Sequence, residues 1–139
     1  MTAGSANILV TGQPGIGKTT LIRRVLDELH ADAGGFYTSE ILKGGRRVGF
    51  SIVGLHGDSG VLAHVDHASR IRVSRYGVNR DDLERVGVPA IDEAVAHSRL
   101  IVMDEIGRME LCSSSFQEAV VRALDSDTPV LGTLQDSQC

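Results

Sequence analysis

The chain has 139 residues, a formal net charge of −4 and two cysteines, Cys112 and Cys139. This length suits one domain with its own core, and the acidic balance gives no overall attraction to nucleic acid or anionic membranes. Two cysteines are too few for a disulfide framework, and the sequence contains no apolar run long enough to span a bilayer. We therefore expect residues 1–139 to form a single domain in the reducing cytoplasm.

A glycine-rich segment near the N terminus, residues 12–19, reads GQPGIGKT and fits the phosphate-loop pattern G-x-x-x-x-G-K-[ST] at every fixed position. A short apolar strand, residues 8–10, precedes it, and an amphipathic helix that ends near His30 follows it. The glycines allow the backbone to curl into an anion cradle, and the helix directs its N-terminal N–H groups at the same point. This context predicts that the chain binds a nucleoside triphosphate.

The roles within this segment follow from its chemistry. Lys18 is expected to reach the β- and γ-phosphates and to take part in catalysis, while the Thr19 hydroxyl is expected to hold Mg²⁺. The predicted nucleotide-binding residues are Gly12, Gln13, Pro14, Gly15, Ile16, Gly17, Lys18, Thr19 and Thr20.

The middle of the chain contains short strands that are separated by glycine turns. Strands are predicted at residues 36–42, 48–55 and 61–65, and this pattern favours antiparallel hairpins inserted into an α/β core. Residues 66–80 carry four arginines with little periodicity and are predicted to form an irregular connector.

The second half alternates helices and apolar strands. A helical stretch after residue 80 is predicted to break at Gly87 and to restart at Pro89. The apolar run 100–103 indicates a strand buried on both faces, Ser115 with Glu118 predicts a capping box that opens a helix, and residues 129–134 predict the last strand. Together the elements predict an α/β fold with a three-layer phosphate-loop core, a central, mostly parallel sheet and an antiparallel β insertion.

Two carboxylates follow the apolar strand 100–103 directly. In phosphate-loop enzymes an acid at this point holds Mg²⁺, and Asp104 is predicted to take this role. Glu105 is predicted to orient or deprotonate an attacking water, which favours hydrolysis over transfer to an acceptor. An arginine that neutralises charge on the γ-phosphate is sought among Arg46, Arg47 and Arg108, and Arg108 is preferred because it follows the Asp-Glu pair closely.

Several segments in this order resemble the cancer-related nucleoside-triphosphatase family, whose members were also described from thermophiles. Beside the phosphate loop, the segments that carry the resemblance are GFYT at residues 35–38, GGRRVGF at 44–50, YGV at 76–78 and DEIGRMEL at 104–111. The resemblance implies a RecA/AAA-like core and slow, Mg²⁺-dependent hydrolysis of ATP, GTP and other nucleoside triphosphates. It also implies Lys18 and Thr19 on phosphate and metal, Asp104 on metal and Glu105 as the catalytic carboxylate.

Family members continue for several dozen residues beyond the strand at 130–134, so we expect a single phosphate-loop domain that is C-terminally shortened relative to the family. A polar side chain after this strand, Thr133 or Gln135, is a candidate sensor of the γ-phosphate.

The sequence thus predicts a Mg²⁺-dependent nucleoside-triphosphatase of loose base specificity, monomeric and without clear nucleic-acid or membrane binding. Two alternatives stay open. One is a nucleoside or nucleotide kinase on the same core, and the other is a nucleotide-dependent switch or binding module. No Asn-Lys-x-Asp sequence occurs, which weakens only the guanine-specific form of the switch.

Overall fold

The computed structural model describes residues 7–12, 17–29 and 32–135. The strands of this part of the chain are β1 (Ile8–Gly12), β2 (Ala33–Lys43), β3 (Arg46–Gly54), β4 (Ser59–His64), β5 (Arg72–Val73), β6 (Tyr76–Val78), β7 (Leu100–Ile106) and β8 (Val130–Gln135). Its helices are α1 (Lys18–Leu29), α2 (Arg80–Asp82), α3 (Val88–His97) and α4 (Ser114–Asp125). A π-helical segment, Leu83–Gly87, joins α2 to α3, and a single 3₁₀ turn, Glu110–Cys112, precedes α4.

All of these strands belong to one sheet in the order β1-β8-β7-β2-β3-β4-β6-β5. The first four strands pair in parallel, and β3, β4, β6 and β5 continue the sheet from β2 in antiparallel pairs. The expected antiparallel strands are therefore present, but they extend the central sheet itself. The sheet is mixed, so the prediction of a mostly parallel sheet is wrong.

Helices cover both faces of the parallel half of this sheet. On β7, Val102 packs with Ile22 of α1 and Leu131 of β8, whereas Ile101 and Met103 belong to the larger core cluster on the opposite face. Alternate side chains of a strand point to opposite faces, so this split places α1 on one side and α3 and α4 on the other. The predicted burial of residues 100–103 on both faces is confirmed, because Ile101, Val102 and Met103 are almost fully buried.

The helical path through residues 80–97 is continuous, and the predicted break at Gly87 is wrong. Gly87 lies in the π-helical segment, and its small size serves packing. A Cβ atom on Gly87 would lie 2.6 Å from Cε1 of the buried Phe116 ring of α4. Close approach of two helices, not a change of chain direction, explains the glycine.

The residue that caps α4 also differs from the prediction. The Ser113 hydroxyl accepts a hydrogen bond of 3.1 Å from the Phe116 N–H, so Ser113 is the N-cap and the predicted Ser115–Glu118 capping box is wrong. Ser115 and Ser113 both donate hydrogen bonds to the Glu84 carboxylate instead, at 2.8 and 2.5 Å. These bonds lower the pKa of Glu84, although the side chain is partly buried.

Residues 66–80 are more ordered than expected. The strands β5 and β6 form a short hairpin at the far edge of the sheet, where β6 pairs with β4. The prediction of an irregular connector therefore holds only up to Ile71. None of the helices in the described part of the chain is long and apolar enough to cross a membrane.

Candidate active site

The Asp104 carboxylate occupies the C-terminal end of β7 and is 4% exposed. Its Oδ1 accepts hydrogen bonds from two threonine hydroxyls, at 3.2 Å from Thr19 of α1 and at 2.7 Å from Thr133 of β8. Parallel strands place their carboxyl ends at one edge of the sheet, which is where open α/β sheets bind ligands. Two residues far apart in sequence, Thr19 and Asp104, are thereby brought into direct contact, and their role in holding Mg²⁺ stays a prediction.

Lys18 begins α1 and is 9% exposed. Its Nζ donates to Glu105 Oε2 at 3.1 Å and to the backbone carbonyl of Leu134 at 3.2 Å. The Lys18–Glu105 ion pair joins the amine expected on phosphate to the carboxylate expected near water. The peptide bond between Asp104 and Glu105 is cis.

These side chains line a cleft with a volume of about 600 Å³. Of the predicted nucleotide-binding residues, Gly17, Lys18, Thr19 and Thr20 border this cleft. Gly12 ends β1, paired in register with Gln135 of β8. Gln13, Pro14, Gly15 and Ile16 lie outside the described residues.

The arginine candidates separate in space. Arg47 of β3 lines the cleft, whereas the exposed Arg46 and Arg108 are not among the described residues that border it. The Arg108 backbone N–H donates at 2.9 Å to Gln135 Oε1, which ties the turn after β7 to the end of β8. A catalytic role for Arg108 therefore stays a prediction.

A third carboxyl group, that of Glu110, lies next to this turn. Glu110 is 5% exposed, and its Oε2 accepts a hydrogen bond of 2.9 Å from the Gly107 N–H. Burial raises the pKa of Glu110 to about 7, and the negative charge of Glu105 adds to the rise. The carboxyl group thus titrates near neutral pH next to the candidate catalytic residues.

The chain is similar to known proteins over nearly its whole length. A family model described as NTPase matches residues 7–138. The nucleoside-triphosphatase THEP1 of Thermotoga petrophila is 49% identical over 130 residues, which cover 94% of this chain and 72% of that protein. The chain belongs to the THEP1 nucleoside-triphosphatase family.

Another relative and two solved structures support the same family membership. The nucleoside-triphosphatase THEP1 of Methanosarcina acetivorans is 47% identical over 135 residues, covering 94% of this chain and 76% of that protein. The crystal structure of THEP1 from Aquifex aeolicus superposes with a TM-score of 0.82 at 33% identity, covering 93% of this chain and 76% of that one. The solution structure of a human cancer-related nucleoside triphosphatase gives a TM-score of 0.78 at 37% identity, covering 95% and 77%.

These matches confirm the resemblance stated from the sequence segments, and with it the expectation of an enzyme of the nucleoside-triphosphatase class at the level of the THEP1 family.

Sequence reasoning missed two features of the site. Thr133 and Gln135 were the two candidates for a sensor of the γ-phosphate; Thr133 is fully buried and donates to Asp104, whereas Gln135 borders the cleft. The far wall of the cleft, which includes Arg47, Phe50 and Tyr76, was not anticipated as a unit. The signal was present, since all three residues lie in the segments that carried the family resemblance, but no motif rule assigns chemistry to them.

Proposed function

We propose that this protein hydrolyses the γ-phosphate of nucleoside triphosphates with the help of Mg²⁺, slowly and with loose base specificity. The observation that carries the proposal is the convergence of Lys18, Thr19, Asp104 and Glu105 at one edge of the sheet and in one cleft. This reaction requires an amine that binds phosphate, a hydroxyl and a carboxylate that hold the metal, and a second carboxylate that orients water. The family name of the relatives supports the same reaction.

The residues at Asp104 fit a magnesium ion. Mg²⁺ prefers oxygen ligands and is held in such enzymes by one or two protein groups together with substrate phosphates. The Thr19 hydroxyl and the Asp104 carboxylate supply such oxygens 3.2 Å apart, and no hydrogen bond to Asp104 Oδ2 is found among the described residues. Asp104 and Thr19 would hold the ion, which when bound neutralises charge on the β- and γ-phosphate oxygens.

The other two side chains perform distinct tasks in the proposed reaction. Lys18 donates hydrogen bonds to the phosphate oxygens and stabilises the charge that develops on them in the transition state. Glu105 orients the attacking water and accepts its proton. Because Lys18 Nζ lies 3.1 Å from Glu105 Oε2, a phosphate bound by Lys18 lies within reach of a water held by Glu105. This juxtaposition favours water as the nucleophile.

Phosphate release from ATP, GTP, CTP and UTP, measured with Mg²⁺ and with excess EDTA, tests the proposal. We expect turnover of several nucleotides with Mg²⁺, none with EDTA, and at least a 100-fold loss in Lys18→Ala. Lys43→Ala, which removes an exposed positive charge on β2, serves as the control and should retain wild-type turnover.

The same assay separates the two alternatives. A nucleoside or nucleotide kinase would release little phosphate alone and would transfer it once a nucleoside or nucleoside monophosphate is added. A switch or binding module would bind triphosphate tightly with negligible turnover. Either result would contradict the hydrolase proposal.

A further inference from the structure

One wall of the cleft, formed by residues of β3 and β6 and not by α1, is built by a cluster of cationic and aromatic side chains. Arg47 and Phe50 of β3 and Tyr76 of β6 line the cleft, and Arg75 lies beside Tyr76. We call these four residues the far-wall cluster. The proposed hydrolysis does not use these residues, and Arg47 was predicted only as one of three candidates for the arginine at the γ-phosphate.

Two guanidinium groups of the cluster converge on one phenol oxygen. Arg47 Nε donates to Tyr76 Oη at 3.0 Å, and Arg75 Nη2 donates to the same atom at 3.2 Å. A phenol oxygen has two lone pairs, so with both occupied the hydroxyl group can only donate further. Burial alone would raise the pKa of Tyr76, but these two cationic donors outweigh it and lower the pKa below its ordinary value.

The positive charge of the cluster is only weakly compensated. Glu40 Oε1 lies 3.3 Å from Arg47 Nη1, and the side chains of this pair are 46% and 55% exposed. Exposed ion pairs of this kind contribute about 0–1 kcal/mol. Among the described residues no carboxylate pairs with Arg75. Bringing two like charges together is unfavourable unless an anion joins them.

Aromatic packing holds the guanidinium groups in place. The Arg47 guanidinium lies 5.1 Å from the Phe50 ring centre and 5.9 Å from that of Tyr76, and Arg75 lies 5.3 Å from the Tyr76 ring centre. The two rings meet edge to face at 5.2 Å. Guanidinium groups fixed by stacking are ordered before a ligand arrives, so less side-chain freedom is lost on binding.

The hairpin turn beside the cluster carries a serine in a left-handed conformation. Ser74 has φ of 55°, a left-handed conformation that glycine usually adopts, and the residue borders the cleft. A left-handed residue is usual in a tight hairpin turn such as the one that joins β5 to β6, so this conformation serves the turn. The serine hydroxyl adds a hydrogen-bonding group where glycine would add none.

We propose that the far-wall cluster is a second anion site, which binds the phosphate of a phosphate monoester beside the nucleoside triphosphate at Lys18. Arg47 and Tyr76 donate to the phosphate oxygens, Arg75 supports Tyr76 from behind, and Ser74 lies at the rim. Two sources share this chemistry: a second, monophosphorylated nucleotide, and inorganic phosphate itself. The site stands on its own residues and does not depend on triphosphate binding at Lys18.

Calorimetric titration of AMP, inorganic phosphate and adenosine tests this site. Each ligand is titrated into wild-type protein saturated with Mg²⁺ and the non-hydrolysable analogue AMP-PNP, and into unloaded Lys18→Ala. We expect one equivalent of AMP or phosphate to bind in both cases and adenosine to bind at least tenfold more weakly. Tighter binding of AMP than of phosphate identifies a second nucleotide as the source, and equal binding identifies inorganic phosphate.

Variants of the cluster locate the binding. Arg47→Ala should weaken the binding of AMP or phosphate at least tenfold and Tyr76→Phe severalfold, whereas Lys43→Ala, on the neighbouring strand, should change neither. Should Arg47→Ala fail to fold, Arg47→Lys keeps the charge, loses the two-pronged geometry and should still weaken binding severalfold. If the proposed triphosphate site is absent, AMP-PNP will not bind to the wild-type protein. The titration of Lys18→Ala with AMP and phosphate then tests the second anion site by itself.

Two results would overturn the proposal. In one, neither AMP nor phosphate binds to the wild-type protein loaded with AMP-PNP, and neither binds to Lys18→Ala. The other is binding that Lys18→Ala abolishes and that Arg47→Ala and Arg47→Lys leave unchanged, because the ligand then occupies the phosphate loop.

Discussion

Thr133 donates a hydrogen bond of 2.7 Å to Asp104 Oδ1, and both residues are buried near the carboxyl ends of β8 and β7. The bond crosses from β8 to β7 and fixes the carboxylate in the orientation in which Thr19 also contacts it. Thr133 is therefore a positioning residue for the proposed metal site. Groups that orient a metal ligand typically change metal affinity by about 10–100-fold when they are removed.

Replacing this hydroxyl tests its role. Thr133→Val keeps the shape but removes the donor, so we expect the Mg²⁺ concentration for half-maximal phosphate release to rise about tenfold or more. The free energy of unfolding should fall by about 1–3 kcal/mol because a buried carboxylate loses a partner. Thr133→Ser restores the donor and should recover the Mg²⁺ dependence. An unchanged Mg²⁺ dependence in Thr133→Val would contradict the positioning role.

Adding a side chain at Gly87 is expected to lower the stability of the protein through a steric clash. Gly87→Ala adds a Cβ atom 2.6 Å from Phe116 Cε1 and 2.9 Å from Cδ1, and this ring is fully buried. We expect the free energy of unfolding, measured by urea denaturation, to fall by about 1–3 kcal/mol through overpacking. The matched control is Gly54→Ala, whose added atom would meet its nearest neighbour at an ordinary 3.5 Å. Equal losses in the two variants would contradict crowding against Phe116 as the cause, because the loss of backbone freedom in the unfolded chain alone would stabilise the fold.

Glu110 predicts a pH dependence of stability. Its pKa of about 7 lies above the ordinary 4.5, so between these values the folded chain holds more protons than the unfolded chain. The stabilising contribution is therefore complete below pH 4.5 and is lost as the pH rises to 7. Since one pKa unit corresponds to about 1.4 kcal/mol, the loss amounts to about 3 kcal/mol.

Glu110→Gln isolates this contribution. The variant stays neutral at all pH values, and its amide oxygen can accept the Gly107 hydrogen bond. Urea denaturation at pH 5 and pH 8 should show the wild-type protein losing about 2–3 kcal/mol relative to the variant, because part of the loss already occurs below pH 5. Glu118→Gln, which changes an exposed carboxyl group on α4, should follow the wild-type protein. Parallel behaviour of wild-type protein and Glu110→Gln would contradict the shifted pKa.

Local patterns predicted much of this structure because they depend on neighbouring residues. The helix at residues 18–29, the buried strand at 100–103 and the last strand at 130–135 follow from local patterns alone. The contact between Thr19 and Asp104 was also predictable, since the carboxyl ends of parallel strands meet at one edge.

The features that the sequence did not reveal depend on contacts between distant segments. A glycine normally ends a helix, and only the Phe116 ring shows why Gly87 lies within one. Ser113 and Ser115 have the same capping chemistry, and the Glu84 carboxylate engages both of them. Arg47 and Tyr76 are 29 residues apart, and only the pairing of β3, β4 and β6 places them on one wall.

In the proposed reaction Glu105 serves hydrolysis and not nucleotide binding, and one variant tests this role most directly. Glu105→Gln removes the charge that pairs with Lys18 at 3.1 Å, so Lys18 becomes more available to phosphate. Nucleotide affinity, measured by calorimetry with AMP-PNP, and phosphate release under single-turnover conditions are compared with those of the wild-type protein. We predict release at least 100-fold slower with affinity equal or higher. Release near the wild-type rate, or a loss of rate that merely follows lost affinity, would contradict the account.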